Sequence, residues 1–194
     1  MTNGTKVKKR DGRIEPLDLE KMHLMVEEAC QGLAGVSASQ VEMKSGIQFY
    51  NGITTAEIQE ILIKAASDLI DLDHPNYQFV AARLLLFSLR KSLYGKMRDL
   101  PHLEAHIMDC TDFDFTYAGL RQVVDKYLVQ DRSGGGVYET PQFMYIMIAL
   151  TIFREYPKDT RMSYVKRYYD AISKHKLNIP TPIMAGVRTP LRQF

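Results

Sequence analysis

Apolar residues recur at spacings of three and four through most of the first 95 residues, and this periodicity limits the fold more than any other feature. The stripes run over residues 19–33, 58–69 and 80–85. Because a stripe of this kind buries one face of a helix, the pattern predicts a mainly helical protein. We expect four helices in this part of the chain, the last of which ends at Gly95.

The predicted helix starts carry capping residues. Ser37 with Gln40, and Thr54 with Glu57, have the spacing of a capping box, in which two side chains satisfy N–H groups of the first turn. Pro75 suits the first turn of the fourth helix, because its ring fixes a helical φ. These signals predict where the second, third and fourth helices begin.

A β-hairpin is predicted before the first helix. Asp11-Gly12 supplies the positive φ of a tight turn, and Pro16 confines its strand to a sheet edge. The basic side chains of this hairpin either clamp phosphate groups or form a solvated surface that discourages edge-to-edge aggregation. Composition alone favours the solvated surface. The basic residues are Lys6, Lys8, Lys9, Arg10 and Arg13.

The second half of the chain is predicted to be helical with one short hairpin. A short helix is expected over 101–110, and a longer one carries Leu120. The segments 127–130 and 137–139 flank a glycine-rich turn at 134–136, so they are predicted to pair. No Gly-Lys-Ser/Thr follows these glycines, which favours a hairpin turn over a phosphate loop.

The last part of the chain contains two predicted helices and a proline-rich segment. Thr140 and Pro141 begin a mostly apolar helix that runs through Tyr156 and is expected to be buried. Asp159 is predicted to cap the next helix, which extends to about Ser173. The segment 177–194 holds three prolines and is predicted to be extended or looped rather than helical.

Charge and cysteine content exclude several classes of protein. A formal net charge of +2 is too balanced for a dedicated nucleic-acid binder, and no apolar run approaches the roughly 20 residues of a membrane span. The first residues lack the apolar core of a signal peptide, and Cys30 and Cys110 cannot form a disulfide framework. We therefore expect a cytoplasmic protein that binds neither nucleic acid nor membrane.

From Arg154 onward the chain is basic, which suits phosphates or an acidic partner surface.

One side-chain cluster has the spacing of a metal site. His102, His106 and Cys110 fall four residues apart on one predicted helix, a spacing that could hold zinc. No fourth ligand is obvious, and the sequence is not HExxH. We therefore expect no metal ligands in this chain.

Five motifs, taken in order, resemble the ATP-cone, the allosteric nucleotide-binding domain of many ribonucleotide reductases. Lys9-Arg10-Asp11-Gly12 alone is a weak motif, but the whole set in this order is specific. The resemblance implies a β-hairpin plus a four-helix bundle. The motifs lie at 7–12, 19–21, 52–55, 63–66 and 77–84.

Three motifs farther along the chain look like the large (alpha) subunit of class I ribonucleoside-diphosphate reductases. They lie at 126–128, 138–143 and 180–190. The resemblance implies that the chain ends on the first strand of an incomplete ten-stranded α/β barrel. The implied domains are an ATP-cone over 1–97, the N-terminal helical region of the large subunit over 98–176, and the first barrel strand and turn over 177–194.

The sequence departs from this family in two places. In the family, Arg-Gln-Phe is followed directly by Ser-Ser-Cys with a redox-active cysteine, whereas Phe194 is the last residue here. The resemblance therefore implies a split or truncated large subunit that lacks the catalytic cysteines and is inactive alone. The family also has a longer acidic helical stretch between the equivalents of Cys110 and Phe113.

The resemblance also implies an effector site for ATP or dATP, with Mg²⁺, on the cone. Lys9, Arg10 and Lys91 would bind the phosphates, and Thr55 would add its hydroxyl or its helix N-terminus. Glu15 would accept a hydrogen bond from the adenine amino group, which disfavours guanine because its carbonyl would face a second acceptor. The polar residues Lys21 and Gln59 would complete the site, with Val7, Leu17, Met22, Ile58 and Phe87 as walls for the base.

Gln59 and Asp18 differ from some relatives of this family. Gln59 stands where those relatives have a histidine near the phosphates, and Asp18 where they have an asparagine near the base. The glutamine still forms hydrogen bonds but carries no positive charge. The resemblance therefore supports ATP binding and leaves strong inhibition by dATP open.

For the whole enzyme the resemblance implies reduction of ribonucleoside diphosphates, with Thr181 lining the substrate site. The implied partners are the remaining C-terminal part of the large subunit, a radical-generating small subunit, and thioredoxin or glutaredoxin as reductant. The alternative is a stand-alone ATP-cone module that senses nucleotides without catalysis.

Overall fold

The computed structural model describes residues 4–46, 48–94, 114–131, 133–134 and 136–188. The chain divides into two compact units. One comprises Met1–Ser88 with Phe115–Ala118, and the other comprises Leu89–Asp114 with Gly119–Phe194. In the described part of the chain no helix combines the length and the apolar character needed to cross a membrane.

The first unit contains a small sheet and four helices, and the last turns of the fourth helix belong to the second unit. This agrees with the predicted hairpin and four helices, except that the fourth helix begins at Tyr77 and not at Pro75. The strands are β1 (Lys6–Lys8), β2 (Ile14–Pro16) and β3 (Ile53–Thr54), and the helices are α1 (Leu19–Cys30), α2 (Ala38–Gly46), α3 (Thr55–Ser67) and α4 (Tyr77–Tyr94).

The sheet has the strand order β2-β1-β3. β1 and β2 pair antiparallel around a turn in which Gly12 has φ of +88°, as the Asp-Gly signal predicts. β3 pairs parallel with β1, a contact that the sequence did not predict. The chain enters β3 through Gly52, whose φ of +90° suits glycine, and the Gly52 N–H donates to the Lys6 carbonyl over 2.8 Å.

The core of the first unit is apolar and lies among its helices. Val26 on α1, Val41 on α2, Leu62 on α3 and Leu84 on α4 are fully buried. Arg83 donates from Nη1 to the carbonyls of Ala29 and Gln31 at the end of α1. These bonds satisfy carbonyls that a helix end leaves without intrahelical partners.

Of the two predicted capping boxes, one is confirmed and one is wrong. Thr54 and Glu57 exchange both capping bonds at the start of α3. α2 begins directly after Ser37 as predicted, but Gln40 accepts a hydrogen bond from the Tyr77 hydroxyl (2.6 Å), and the same hydroxyl accepts from the Ser37 N–H (3.0 Å). The buried Tyr77 thus stands between the two residues that a capping box would join.

The second unit is helical, as predicted. The apolar helix begins at Pro141 after its cap Thr140 and is buried on most faces, but it ends four residues before Tyr156. The next helix follows Pro157, so Asp159 lies in its first turn and is not its cap. The elements are α5 (Tyr117–Gln122), a π-helix (Val123–Tyr127), α6 (Pro141–Ile152), α7 (Lys158–Ser173) and α8 (Thr181–Gly186).

The predicted second hairpin is reduced to a single antiparallel bridge between Gln130 and Val137. Tyr127, expected in its first strand, ends the π-helix instead. Asp131 organises the turn by accepting hydrogen bonds from the Ser133 N–H and hydroxyl. A Cβ on Gly134 would lie 2.5 Å from the Asp131 carboxylate, so this glycine is needed for close approach.

The prediction of an extended segment over 177–194 is wrong at Thr181–Gly186, which forms the helix α8. Pro182 lies in the first turn, where its missing N–H costs nothing and its fixed φ favours a helix. A barrel strand needs neighbours on both sides, whereas the N–H groups of Ile183 and Met184 find a partner locally in the Pro180 carbonyl. The barrel itself has no counterpart among the described residues.

Several predictions lie outside the described residues. They are the helix over 101–110, the His102, His106 and Cys110 cluster, the end of α4 at Gly95, and the part of the final segment beyond residue 188.

Candidate functional site

Four residues of the candidate nucleotide site lie on one face of the hairpin. Val7 pairs with Glu15 across the strands, and the Lys9 N–H donates to the Arg13 carbonyl just beyond them. Because side chains alternate along a strand, Val7, Lys9, Arg13 and Glu15 lie on the same face. Val7 is buried there, whereas Ile14 on the opposite face is 67% exposed. The predicted phosphate ligand Lys9 and the predicted base reader Glu15 are therefore diagonal neighbours.

A network of ion pairs covers this face. Lys9 Nζ lies 3.2 Å from Glu15 Oε2, and Arg13 Nη1 lies 3.2 Å from Glu15 Oε1, so each carboxylate oxygen has its own cation. Arg13 also donates to Asp11 from Nε and from its backbone N–H. These bonds lower the pKa of Asp11, and the side-chain bond and charge of Asp11, with the charge of Glu15, raise the pKa of Arg13.

The start of α3 lies beside the hairpin because β3 pairs with β1. Lys8 is opposite Thr54, the N-cap of α3. The Glu57 carboxylate accepts from the Thr54 hydroxyl and N–H and from the Tyr50 hydroxyl, and these bonds lower its pKa. Thr55 is the first residue of the helix. A helix N-terminus of this kind attracts anions, so a cationic hairpin and a helix dipole meet at one edge of the sheet.

Two of the predicted walls of the base site, Met22 and Ile58, lie on α1 and α3. Ile58 and Gln59 are buried, and the Gln59 amide donates to the sulfur of Met25 over 3.6 Å. Met22 is half-buried on α1. Lys21 lies in the first turn of α1, where its N–H donates to the Asp18 carboxylate.

Four further predicted residues lie outside this group of contacts. Arg10 is exposed in the hairpin turn, and Leu17 follows β2, where its N–H donates to the Thr5 carbonyl. Phe87 and Lys91 are one turn apart on α4, Phe87 half-buried and Lys91 exposed. Lys91 belongs to the second compact unit, and its part in the site stays a prediction.

Thr181, the predicted substrate residue, is the first residue of α8 and is exposed. Its hydroxyl lies 3.1 Å from the Tyr127 hydroxyl. Arg188, just after this helix, is 95% buried at its side chain, donates to the Glu139 carboxylate and also donates to the Tyr127 carbonyl. Glu139 in turn accepts from the Val129 N–H. The segment around Thr181 is thus tied to the π-helix by polar contacts.

Two family models match the chain. The ATP cone domain matches residues 5–92, and the ribonucleotide reductase all-alpha domain matches residues 113–192. Residues 5–92 thus belong to the ATP cone family, and residues 113–192 belong to the all-alpha domain of ribonucleotide reductases. The hairpin, its ion pairs and the start of α3 all lie within the ATP cone.

Individual ribonucleotide reductase alpha subunits match the whole chain. It is 46% identical over 222 residues to ribonucleoside-diphosphate reductase 1 subunit alpha of Salmonella typhimurium and of Escherichia coli. It is 36% identical over 216 residues to the subunit alpha of Enterobacteria phage T4. These matches cover 100%, 100% and 96% of the chain, but only 29%, 29% and 28% of the relatives. The chain therefore spans less than a third of their length.

The alignments with these ribonucleotide reductase subunits are longer than the 194-residue chain. The relatives therefore carry residues that have no counterpart here. The placement of this difference between Cys110 and Phe113 stays a prediction.

Two residues of the ATP cone have roles that the sequence did not predict. Asp18 caps α1 through its bond to the Lys21 N–H, and Asp before a helical stripe is an ordinary N-cap signal. Arg13 shares the hairpin face with Lys9 and Glu15. Because side chains alternate along a strand, the spacing of Lys9, Arg13 and Glu15 could have placed Arg13 on this face from the sequence alone. Among the described residues no group of three or more His, Cys, Asp or Glu side chains could hold a metal ion.

Proposed function

We propose that the ATP cone binds ATP or dATP as an allosteric effector of a ribonucleoside-diphosphate reductase. The observation that carries this proposal is the ion pair of Lys9 and Glu15 on one face of a hairpin whose first strand pairs with β3, the segment that leads into α3. The carboxylate suits the amino group of an adenine base, and the cation and the helix dipole suit the phosphates at the other end of the nucleotide. The match of residues 5–92 to the ATP cone supports it.

Glu15 selects the base in this proposal. Its carboxylate accepts a hydrogen bond from the adenine 6-amino group, whereas guanine presents a carbonyl at the same position. Two facing acceptors leave a desolvated polar group without a partner, which costs about 1–3 kcal/mol. Ile58, Met22, Val7, Leu17 and Phe87 supply apolar surface for the base, and Lys21 and Gln59 supply polar contacts.

The phosphates are bound by Lys9, Arg10 and Lys91 together with the α3 N-terminus at Thr55. Mg²⁺ accompanies the triphosphate and takes its ligands from the phosphate oxygens, which are the oxygen donors that Mg²⁺ prefers.

The reductase reaction belongs to the assembled enzyme. We propose that this chain joins the remaining C-terminal part of an alpha subunit, a radical-generating small subunit, and thioredoxin or glutaredoxin in the cytoplasm. The assembly replaces the 2′-hydroxyl of a ribonucleoside diphosphate by hydrogen, and the products serve DNA synthesis. Thr181 contributes its hydroxyl to the substrate site. The match of residues 113–192 to the all-alpha domain favours this role over a free-standing cone.

The 194 residues by themselves are proposed to be inactive. Cys30 is a half-buried residue of α1, and burial raises the pKa of its thiol, which disfavours the reactive thiolate. Its only companion in the sequence is Cys110. Incubation with a radical-bearing small subunit, a dithiol reductant and a ribonucleoside diphosphate is expected to give no deoxyribonucleotide. Turnover above background contradicts this part of the proposal.

The effector site is tested by calorimetry of the full chain with ATP and GTP. The wild-type protein is expected to bind ATP more tightly than GTP. Glu15→Gln is expected to reduce this preference about tenfold, because an amide can donate to the guanine carbonyl. Glu28→Gln, which removes an exposed carboxylate from α1, is the matched control. Failure of the wild-type chain to bind ATP refutes the proposed function.

A further inference from the structure

Arg13 is absent from the nucleotide site that the resemblance implies, yet its guanidinium makes several polar contacts on the hairpin face of the cone. Nη1 reaches Glu15 Oε1 at 3.2 Å, while Nη2 and Nε both reach Asp11 Oδ2 at 2.8 Å. The backbone N–H of Arg13 donates to the other oxygen of Asp11 at 3.1 Å. A guanidinium held at several points has already lost much of its side-chain freedom, so its contact with Glu15 costs little further entropy.

The two oxygens of Glu15 differ in the partner that they have. Oε1 faces Arg13, whose guanidinium is fixed by Asp11, whereas Oε2 faces Lys9, whose ammonium ends a flexible chain and has no second carboxylate among its described contacts. The Lys9 ammonium can therefore leave Glu15 when a phosphate competes for it. Arg13 cannot leave as readily, because Asp11 holds it.

We propose that Arg13 is a positioning residue of the nucleotide site: it holds Glu15 through Oε1 so that Oε2 can pass from the Lys9 ammonium to the amino group of an adenine base. The inference rests on the proposed function, since it takes Glu15 as the reader of the base. Arg13 itself touches neither base nor phosphate in this scheme. It keeps the carboxylate oriented after Lys9 has turned to the phosphates.

The scheme makes base selectivity, and not only affinity, depend on Arg13. Without its guanidinium, Glu15 can rotate, and within the described part of the chain its pairing with Lys9 is the only ion pair that remains to it. ATP then has to break that pair without a second cation to hold the carboxylate. An exposed pair of this kind corresponds to an effect of about two- to fivefold in binding, so the expected changes are modest and measurable.

Calorimetry of the full chain with ATP and GTP tests the inference. Arg13→Ala is expected to lower the ratio of ATP to GTP affinity about two- to fivefold, Asp11→Asn to lower it less, and Arg13→Lys to restore part of it. Lys8→Ala is the matched control, because it removes one positive charge from the opposite face of the same hairpin. This control is expected to weaken both nucleotides equally and leave their ratio unchanged.

The outcomes separate the inference from the proposed function. A wild-type chain that does not bind ATP refutes the proposed function and the inference with it. A wild-type chain that prefers ATP, combined with an unchanged preference in Arg13→Ala, overturns the inference alone. The inference is also overturned if Arg13→Ala weakens ATP and GTP by the same factor, as Lys8→Ala is expected to do. Arg13 would then act only through its charge.

Discussion

Lys9 is the residue on which the proposed nucleotide binding depends most directly, because its ammonium would exchange one anionic partner, Glu15, for another, the phosphate. In this structure its ammonium pairs with Glu15 at 3.2 Å, and it retains only a quarter of its side-chain exposure. A nucleotide phosphate would offer a more highly charged partner within the reach of the same side chain. The pair is at the surface, where such contacts contribute little to stability, so exchange of partners costs little.

Lys9→Ala is therefore expected to weaken ATP binding about tenfold or more, because a charged hydrogen bond to phosphate is worth roughly 1.5–3 kcal/mol. The same loss is expected for Lys91→Ala. Calorimetry measures both, with Lys8→Ala as the control for the loss of one charge. Unchanged affinity in both variants would place the phosphates elsewhere on the cone.

His23 makes the stability of the cone depend on pH. Its Nδ1 lies 2.8 Å from Glu42 on α2 and its Nε2 lies 3.4 Å from Glu27. The hydrogen bond and charge of Glu42, followed by Glu27, raise the pKa of His23. A raised pKa means that the folded state favours the charged imidazole. This contribution to stability is complete below the ordinary histidine value of about 6.5 and is lost as the pH rises through the raised value.

Thermal unfolding across about pH 5–9 checks this expectation. His23→Gln is expected to remove the part of the pH dependence that lies above about pH 6.5, and Glu42→Gln is expected to reduce it. Superimposable pH profiles for wild type and His23→Gln would show that the His23–Glu42 pair between α1 and α2 does not contribute to the pH dependence of stability.

At the scale of elements, the start of α3 combines a capping box with the helix end that the proposed function assigns to the phosphates. The Thr54 and Glu57 box satisfies N–H groups at the same helix end that would face a phosphate. Thr54→Ala is expected to lower the free energy of unfolding by about 0.5–2 kcal/mol, as for other lost N-caps. Chemical denaturation measures this change. Ser39→Ala, an exposed position of α2, is the control, and an equal effect in the two variants would contradict a specific cap.

Local signals predicted the elements well where the physical cause was local. The Asp11-Gly12 turn, the Thr54–Glu57 box and the apolar stripe of α3 all act over a few residues. The β1–β3 pairing could not be found this way, because two residues of strand leave no periodicity. α8 was missed because proline was interpreted as a helix breaker, although Pro182 lies where a helix accepts it.

The contacts of the candidate site were only partly predictable, for the same reason. Lys9 and Glu15, which the resemblance assigns to one nucleotide site, form an ion pair that the sequence did not predict, and the alternation of a hairpin would have added Arg13. Gln59 is buried against Met25, a contact between α3 and α1 that no sequence spacing reveals. The contribution of a side chain to a site depends on such long-range packing.

At the scale of the whole molecule, the two compact units are expected to respond differently to nucleotide. A ligand that binds only the folded cone stabilises it by mass action, by about 2.7 kcal/mol at one hundred times its Kd. Hydrogen exchange of the full chain with ATP is therefore expected to slow in β1, β3 and α3, with little change in α6 and α7. GTP is the control. Equal slowing in α6 and α7 would show that nucleotide acts beyond the cone.

The parallel pairing of β1 with β3 also sets the order in which the cone assembles. The β1–β2 turn closes over a few residues and can form within microseconds, whereas the bond between Lys6 and Asn51 joins residues 45 positions apart. Contacts of such separation carry a larger loop-closure entropy and form late. The edge where hairpin and α3 meet is thus the last part of the cone to close and, with two paired residues in β3, the first to open. In the proposed function, an effector bound at this edge stabilises the part of the cone that opens first.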